Sequence, residues 1–531
     1  MPKSKVASYF DDAFALPNPG LEAYFGLVRK GRPVEYRTGF AYGKSTTEVL
    51  NEWMPNLKPL ESQWPTLLKY EEDLAKKVGP LSFMKPLSER MDDIDHYYDD
   101  ILLPSIPLSG RAIAAVLSEW ASARGLELRS QQHTVESMKL STNSGSPFFT
   151  SRRSALKASV PCGIFKDNQR VIQVLRGEPY NAAAVLGWRG QEGGPSVEDV
   201  KQRVVWMFPF GVNIAELQCY QPLIETAQRF NLVPAWVSMD AVDAEITRLF
   251  DTKGKDDLVI CTDFTRFDQH FNQDCQDAAR SILQGILNSA KQSQTWLEYV
   301  FPIKFMIPLA YDMGKVRFGH HGMGSGSGGT NADETLVHRA LQYEAAILNS
   351  SRLNPHSQCL GDDGILSFPG ATVDKVVDVY SRHGLDMNLD KQYASTTDCT
   401  YLRRWHHIDY RKNGICVGVY STARALGRLC EQERYYSPDT WGPEPIVIRE
   451  LSILENVKNH PLREQFVQFC IQRDKSRLGL DLPGFYDNLD KIVRKTNDLI
   501  PDFLGYTKSQ QLDAGQGINS WWIVNYVKSL R

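Results

Sequence analysis

The chain has 531 residues, 42% of them hydrophobic and 23% charged, which is enough to bury a continuous core shared by several sub-domains. Sixty Lys and Arg against 63 Asp and Glu leave a formal charge of −3, so a histone-like or tail-driven nucleic-acid binder is excluded and any polyanion must be met by locally concentrated basic groups. Nine scattered cysteines without a C-x-x-C pair argue against a disulfide framework or a thiolate zinc site and fit a reducing compartment. The first residues, MPKSKVASYFDDAF, lack an apolar signal region, and no stretch approaches the 18 or so apolar residues of a membrane span, so neither secretion nor membrane insertion is expected.

In chain order, Gly39–Ser45 has the outline of a phosphate-binding loop but three residues between its glycines where four are needed, after a poor buried strand. A polar helix is predicted near Tyr70–Val78, a turn-rich link at Leu103–Gly110 and a helix at Arg111–Arg124. Residues 139–203 then carry ten basic and five acidic side chains, a local excess that suits either a polyanion-binding face or an ordinary salt-bridged surface. Asp257–Thr262 is a short apolar run rich in β-branched residues, read as a buried strand that delivers Asp263 to its end, with Asp268 five residues on. A helix is expected over Asp277–Ala290 and a strand at Lys315–Phe318. Next, the glycine-rich loop Gly322–Asn331 opens a helix carrying Leu336, Ala340, Tyr343 and Ile347. Ser357–Phe368 reads as strand, turn and strand, with Gly361 and Gly364 bracketing Asp362 and Asp363. Beyond Trp441 the pattern is helical, first through Ile448, Leu451, Leu454 and Val457 and then through Phe466, Val467, Cys470 and Ile471; a polar link over 508–519 precedes an aromatic-basic end, Trp521–Arg531.

Two hard-ligand carboxylates at strand ends can clamp a pair of Mg²⁺ ions roughly 3.5–4 Å apart for an in-line displacement, and Asp263 and Asp362 are the candidates. A Gly-Asp-Asp tripeptide alone says little, because average composition produces it about 0.1–0.2 times in such a chain. The competing reading is a type I′ turn that uses Asp and Gly for their tolerance of positive φ. Gly324–Gly329 also satisfies G-x-G-x-x-G, but the preceding Lys315–His321 is charged and unlike the buried first strand of a dinucleotide-binding unit.

Several motifs in fixed order resemble those of viral RNA-dependent RNA polymerases. Asp263-Phe-Thr-Arg-Phe-Asp268 is similar to motif A, Ser325-Gly326-Ser-Gly-Gly-Thr330-Asn331 to motif B, Gly361-Asp362-Asp363 to motif C, Gly384–Lys391 to motif D and Tyr401-Leu-Arg403-Arg404 to motif E. Upstream, Arg189 with Lys201 and Arg203 resembles motif F, and Thr142-Asn-Ser144-Gly145-Ser-Pro147 resembles motif G. Motif B and the chain length resemble the polymerases of picobirnaviruses, then of partitiviruses, viruses with double-stranded RNA genomes.

The resemblance implies an α+β, closed right hand with an antiparallel palm sheet. It places an N-terminal arm or fingertip region at 1–75, fingers at 76–250, a palm at 251–409 with a fingers insertion near 275–320, and a helical thumb and tail at 410–531. Asp263, Asp362 and Asp363 would hold Mg²⁺ or Mn²⁺, with Lys391 a general acid for the leaving pyrophosphate. Asp268 would read the sugar hydroxyls, and Arg189, Lys201 and Arg203 the triphosphate, with Ser325, Thr330 and Asn331 also on the nucleotide. Thr142, Ser144, Gly145, Pro147, Gly326, Arg403 and Arg404 would touch RNA. One departure stands out: where many single-stranded RNA virus polymerases have an asparagine that partners the second motif A aspartate, this chain has Glu334. Facing Asp268, Glu334 would repel it unless one of the two carboxyls is protonated; the spacing of Asn331 and Glu334 favours instead a capping box that keeps Glu334 away from the sugar. NTPs and RNA template and product are the implied partners, with viral capsid protein around a monomeric enzyme in the virion interior and the host cytoplasm, and no membrane. A reverse transcriptase sharing the palm and a non-catalytic capsid or scaffold protein are the rival classes.

Overall fold

The computed structural model describes residues 3–168, 170–437, 439–499 and 517–531. Residues 508–516 of the expected polar link lie outside them. The architecture is α+β; among the described residues, helices pack around five small sheets in which every strand pairing but one is antiparallel. No helix among the described residues is long and apolar enough to cross a membrane.

The central sheet has four strands in the order Gln358–Leu360, Asp363–Leu366, Val259–Thr262, Tyr393–Ser395. All four residues of Val259–Thr262 are buried, as an apolar β-branched run flanked on both sides by partners requires. Helix Thr330–Leu348 lies behind this sheet, and His338, Arg339, Gln342 and Glu344 on it are buried beside its apolar residues. A second sheet joins Ala184–Gln191 and Lys201–Met207 to Leu309–Asp312 and Lys315–Arg317. The segment after Asp268 therefore returns to the sheet that carries the basic residues before it.

Among the described residues, hydrophobic packing divides into a large central cluster and two smaller ones that draw more on the N-terminal residues. Tyr9, Phe10, Phe14, Leu21 and Phe25 pack with Ala183, Val185, Ala310 and Val316. Val49, Trp53, Leu57 and Leu67 pack instead with the C-terminal helices, including Pro443–Glu455, Arg463–Arg473 and Trp522–Lys528. The first 75 residues thus contribute to both of these cores and, through Val28, to the central one, and bridge distant parts of the chain. Glu71, fully buried on helix Pro65–Ala75, fastens this bridge. It accepts hydrogen bonds from the amides of Thr422 and Ala423 and the hydroxyls of Ser421 and Thr422, and meets His460 Nε2 at 3.0 Å. In the Gly39–Ser45 segment, Ser45 is the N-cap of helix Thr46–Trp53 in a capping box with Glu48, which accounts for it without a phosphate.

Candidate active site

Gly361 and Asp362 form the two-residue loop between paired Leu360 and Asp363. Gly361 has φ +58° and Asp362 does not, the pattern of a type II′ turn rather than the type I′ considered from sequence. Helix Thr330–Leu348 grips this turn: Thr335 Oγ1 accepts from the Gly361 amide at 2.9 Å and His338 Nδ1 meets the Gly361 carbonyl at 2.8 Å. Burial pushes the His338 imidazole down to about 4, so it is neutral and its Nδ1–H donates. Gly364 must be glycine, because a Cβ there would lie 2.6 Å from the His338 ring.

Thr262 pairs with Gly364, so Asp263 leaves its strand beside Asp363, at a Cα separation of about 5 Å for facing antiparallel residues. Gln392 holds Asp263 by its backbone, accepting from the Asp263 amide at 2.8 Å and donating to its carbonyl at 2.9 Å. Asp268 sits on the single turn Phe267–His270, after Arg266 in the left-handed region. Asp362 is open to water at its tip but enclosed by protein at longer range. That burial, then the charge of Asp268, raises its carboxyl, against the pull of Arg203. Asp363 is raised to about 7 by burial, opposed by the Leu402 amide, which donates to its Oδ2 at 2.8 Å. These acids supply only hard oxygen donors and repel one another in the absence of a counter-charge, which is the donor set a divalent cation of the Mg²⁺ or Mn²⁺ kind fits. Among the described residues no three acidic, histidine or cysteine side chains are already drawn together as a metal-ligand group.

Cations face this acidic floor. Lys201 and Arg203 alternate on strand Lys201–Met207 and so project from one face. Burial and the nearby charges of Lys77, Lys391 and Arg203 lower the Lys201 ammonium, with Asp263 opposing them. Lys77 was not singled out in the sequence. Arg403 is exposed and its charge bears on Asp363, whereas the adjacent Arg404 is committed to Asp243 through bonds of 2.8 and 3.0 Å. Arg189 pairs with Glu433 at 3.0 Å.

The glycine-rich loop rests on the basic strand. A Cβ at Gly326 would lie 1.6 Å from the Trp206 carbonyl oxygen, and one at Gly329 would lie 2.4 Å from the Tyr220 ring. Ser325 Oγ accepts from the Trp206 amide at 3.3 Å. Buried Glu216 accepts from the Ser327 hydroxyl and, at 3.1 Å, from the Gly328 amide. Beneath the loop, Lys304 and Asp333 form an ion pair at 3.0 Å with neither side chain exposed to solvent. The expected capping box does not form. Gly329 is the N-cap, and Asn331 Oδ1 accepts from the Trp236 indole at 2.8 Å. Glu334 instead faces the acidic cluster. Burial, then the charge of Asp268, pushes its carboxyl well up, so it stays protonated and donates to Asp268.

A viral RNA-dependent RNA polymerase family model matches residues 191–415. A protein of human picobirnavirus described as a potential RNA-dependent RNA polymerase is 58% identical over 524 residues, covering 98% of each chain. The chain belongs to the viral RNA-dependent RNA polymerases. Crystal structures of a human picobirnavirus RNA-dependent RNA polymerase and of its insertion-loop deletion mutant agree, with TM-scores of 0.95 and 0.93, identities of 57% and 56%, and 99% of each chain covered. This membership removes the reverse-transcriptase and scaffold readings.

Several residues expected at RNA or nucleotide are engaged within the protein itself. Ser144, Gly145 and Pro147 are buried, and Gly145, at φ +61°, lies against the Phe208 carbonyl, so these residues tie their loop to the protein. Thr142 is half-buried, with a buried hydroxyl. Thr330 Oγ1 donates within its own loop, to Gly324 and Ser327 carbonyls, and Asn331 is spent on Trp236. Arg404 is spent on Asp243, whereas Arg403 keeps its place near the acids. Gln392, His338, Glu216 and Lys304 were not foreseen. Each is one polar residue whose partner is distant or backbone, and only the position of Gln392 just after Lys391 gave any hint.

Proposed function

We propose that Asp263 and Asp362 hold the divalent ions with which this polymerase transfers a nucleoside monophosphate from an NTP to an RNA 3′-OH. The reading is carried by the pairing of Thr262 with Gly364, which sets the two acidic strand ends side by side. Bound divalent ions would activate the attacking hydroxyl and neutralise the leaving pyrophosphate. Lys201 and Arg203, on one strand face, bind the triphosphate, with Lys77 beside them. Lys391 delivers a proton to the departing pyrophosphate. Asp268 accepts from the ribose hydroxyls, and the neutral carboxyl of Glu334 orients it in place of the asparagine of many relatives.

In the same reading, the central sheet is the palm of a closed right hand and the sheet bearing Lys201 and Arg203 belongs to the fingers. The C-terminal helices form the thumb, joined to the fingers by the N-terminal arm. The enzyme acts as a monomer within the viral particle and host cytoplasm, with capsid protein around it, on RNA template, product and NTPs. The decisive assay is template-directed GTP incorporation on oligo-cytidylate by Asp362→Asn. Synthesis should vanish with the melting temperature retained, because a turn-tip carboxylate packs little; a tenth of the activity surviving would overturn the assignment.

A further inference from the structure

A cavity of about 350 Å³ lies where the Tyr36–Arg37 and Glu431–Gln432 strands pair, and it shares no lining residue with the carboxylate site. Its size is in the range of small-molecule sites. Its walls are aromatic. Tyr36 and Tyr435 approach at 5.6 Å between ring centroids, and Tyr436 and Trp441 at 4.2 Å. Tyr435 is 62% exposed, so its ring is open to a ligand. One polar group in the same cavity lacks a hydrogen-bond partner: Arg37 Nε, a donor 3.9 Å from Glu431 Oε1. Buried groups of that kind are rare in a finished interior. The buried Glu450 carboxyl is pushed well up by burial and the charge of Asp474, and is turned to Asp474. The aromatic wall also continues outward. The Arg32 guanidinium lies 5.0 Å from the Tyr36 ring on one side and 5.0 Å from the Trp188 ring on the other, and Trp188 adjoins Arg189 on the basic sheet.

Flat rings, an arginine donor and an aromatic–arginine stack together match one ligand chemistry. A nucleobase offers a π-face to tyrosine, and the phosphate of its nucleotide suits arginine. We propose that this cavity is a nucleotide-binding site separate from the catalytic centre, with the base among Tyr36, Tyr435, Tyr436 and Trp441 and the phosphate toward Arg37. The nucleotide is either free or an unpaired residue of an RNA strand that follows the Tyr36–Arg32–Trp188 stack.

The test uses the full chain in EDTA. An octamer containing 4-thiouridine is cross-linked by light, adducts are mapped by mass spectrometry, and ATP, unlabelled octamer and inorganic triphosphate are the competitors. Adducts should fall within residues 32–39 or 431–450. Tyr435→Ala should weaken binding about 5- to 150-fold, the range for loss of one stacked base, while Tyr435→Phe stays within twofold. Competition by ATP supports the site and assigns a free nucleotide; competition by the octamer alone supports it and assigns a strand. Absence of adducts in both segments, binding by Tyr435→Ala within twofold of the parent, or equal competition by inorganic triphosphate overturns the proposal. Tyr435 is exposed, so its alanine variant should fold.

Discussion

Replacing Lys304 by methionine tests whether the floor of the glycine-rich loop is held by charge. Lys304 Nζ contacts Asp333 at 3.0 Å, donates to Tyr220 Oη at 3.0 Å and to the Phe301 carbonyl at 2.6 Å, and lies 3.8 Å from the Phe301 ring centroid. Tyr220 in turn donates to Asp333 at 2.7 Å. Methionine fills similar volume but leaves Asp333 a buried carboxylate without its cation, which costs about 3–5 kcal/mol. If the chain unfolds as one unit, an unfolding entropy near 2.1 cal/mol/K per residue gives ~1.1 kcal/mol/K, so the melting temperature should fall by about 3–5 °C. Burial already raises the Asp333 carboxyl and Lys304 opposes it, so without Lys304 the group takes up a proton more readily. The loss should therefore be smaller at pH 5 than at pH 8. Lys304→Met/Asp333→Asn, which removes both charges, should recover at least half of it. Differential scanning fluorimetry at both pH values reads all three effects. A shift of the single variant below about 1 °C, or a double variant no better than the single, would refute the argument.

Gly326→Ala places a Cβ 1.6 Å from the Trp206 carbonyl oxygen, so the loop must move by more than an ångström. Primer extension should slow about 10²-fold, the scale of a misplaced site, and a rate within threefold of the parent would show the contact to be yielding. Lys201→Ala and Arg203→Ala each remove a charge-assisted contact of about 1.5–3 kcal/mol and should raise the KM for NTP tenfold or more with a lesser change in kcat; an unchanged KM removes them from the triphosphate site. His338 is held at about 4 where an unfolded histidine titrates near 6.5. Between those values the unfolded chain binds the extra proton, so the stability tied to neutral His338 is complete above pH 6.5 and is lost on acidification to about pH 4, some 3 kcal/mol in all. His338→Gln keeps a donor for Gly361 and does not titrate. Its denaturant-unfolding free energy should gain on that of the parent as pH falls from 7.5 to 4.5, and a constant difference would contradict the assignment.

The parts of the site legible in the sequence are those written locally. Val259–Thr262 announces a buried strand by composition, the Gly361–Asp362 turn is set by one glycine, and Lys201 and Arg203 share a face because strand side chains alternate. Where tertiary contact decides, local spacing misleads. Asn331 and Glu334 have capping-box spacing, but the Trp236 indole claims the Asn331 oxygen and Gly329 takes the cap, which leaves Glu334 to turn toward Asp268. Arg403 and Arg404 read as a pair, yet the hairpin sends the second to Asp243, 161 residues earlier. Lys304 carries no signal because its partners Tyr220 and Asp333 are distant in sequence and are joined to it only in the folded core.

The two adjacent aspartates of the turn divide their work for the same geometric reason. Asp362 occupies the turn and feels Asp268, Arg203 and Asp263. Asp363 begins the returning strand, and its carboxylate receives the Leu402 amide. Leu402 and Arg403 form the two-residue loop between paired Tyr401 and Arg404, both at positive φ, 52° and 61°. That type I′ conformation favours Asn and Gly, and non-glycine residues in it cost on the order of 1–3 kcal/mol each. A charge-assisted hydrogen bond of about 1.5–3 kcal/mol from Asp363 offsets much of that strain and holds Arg403 over the acidic floor. Asp363 thus couples the acidic turn to the neighbouring hairpin, and its place in the Gly-Asp-Asp sequence follows from that bond as well as from its nearness to Asp263.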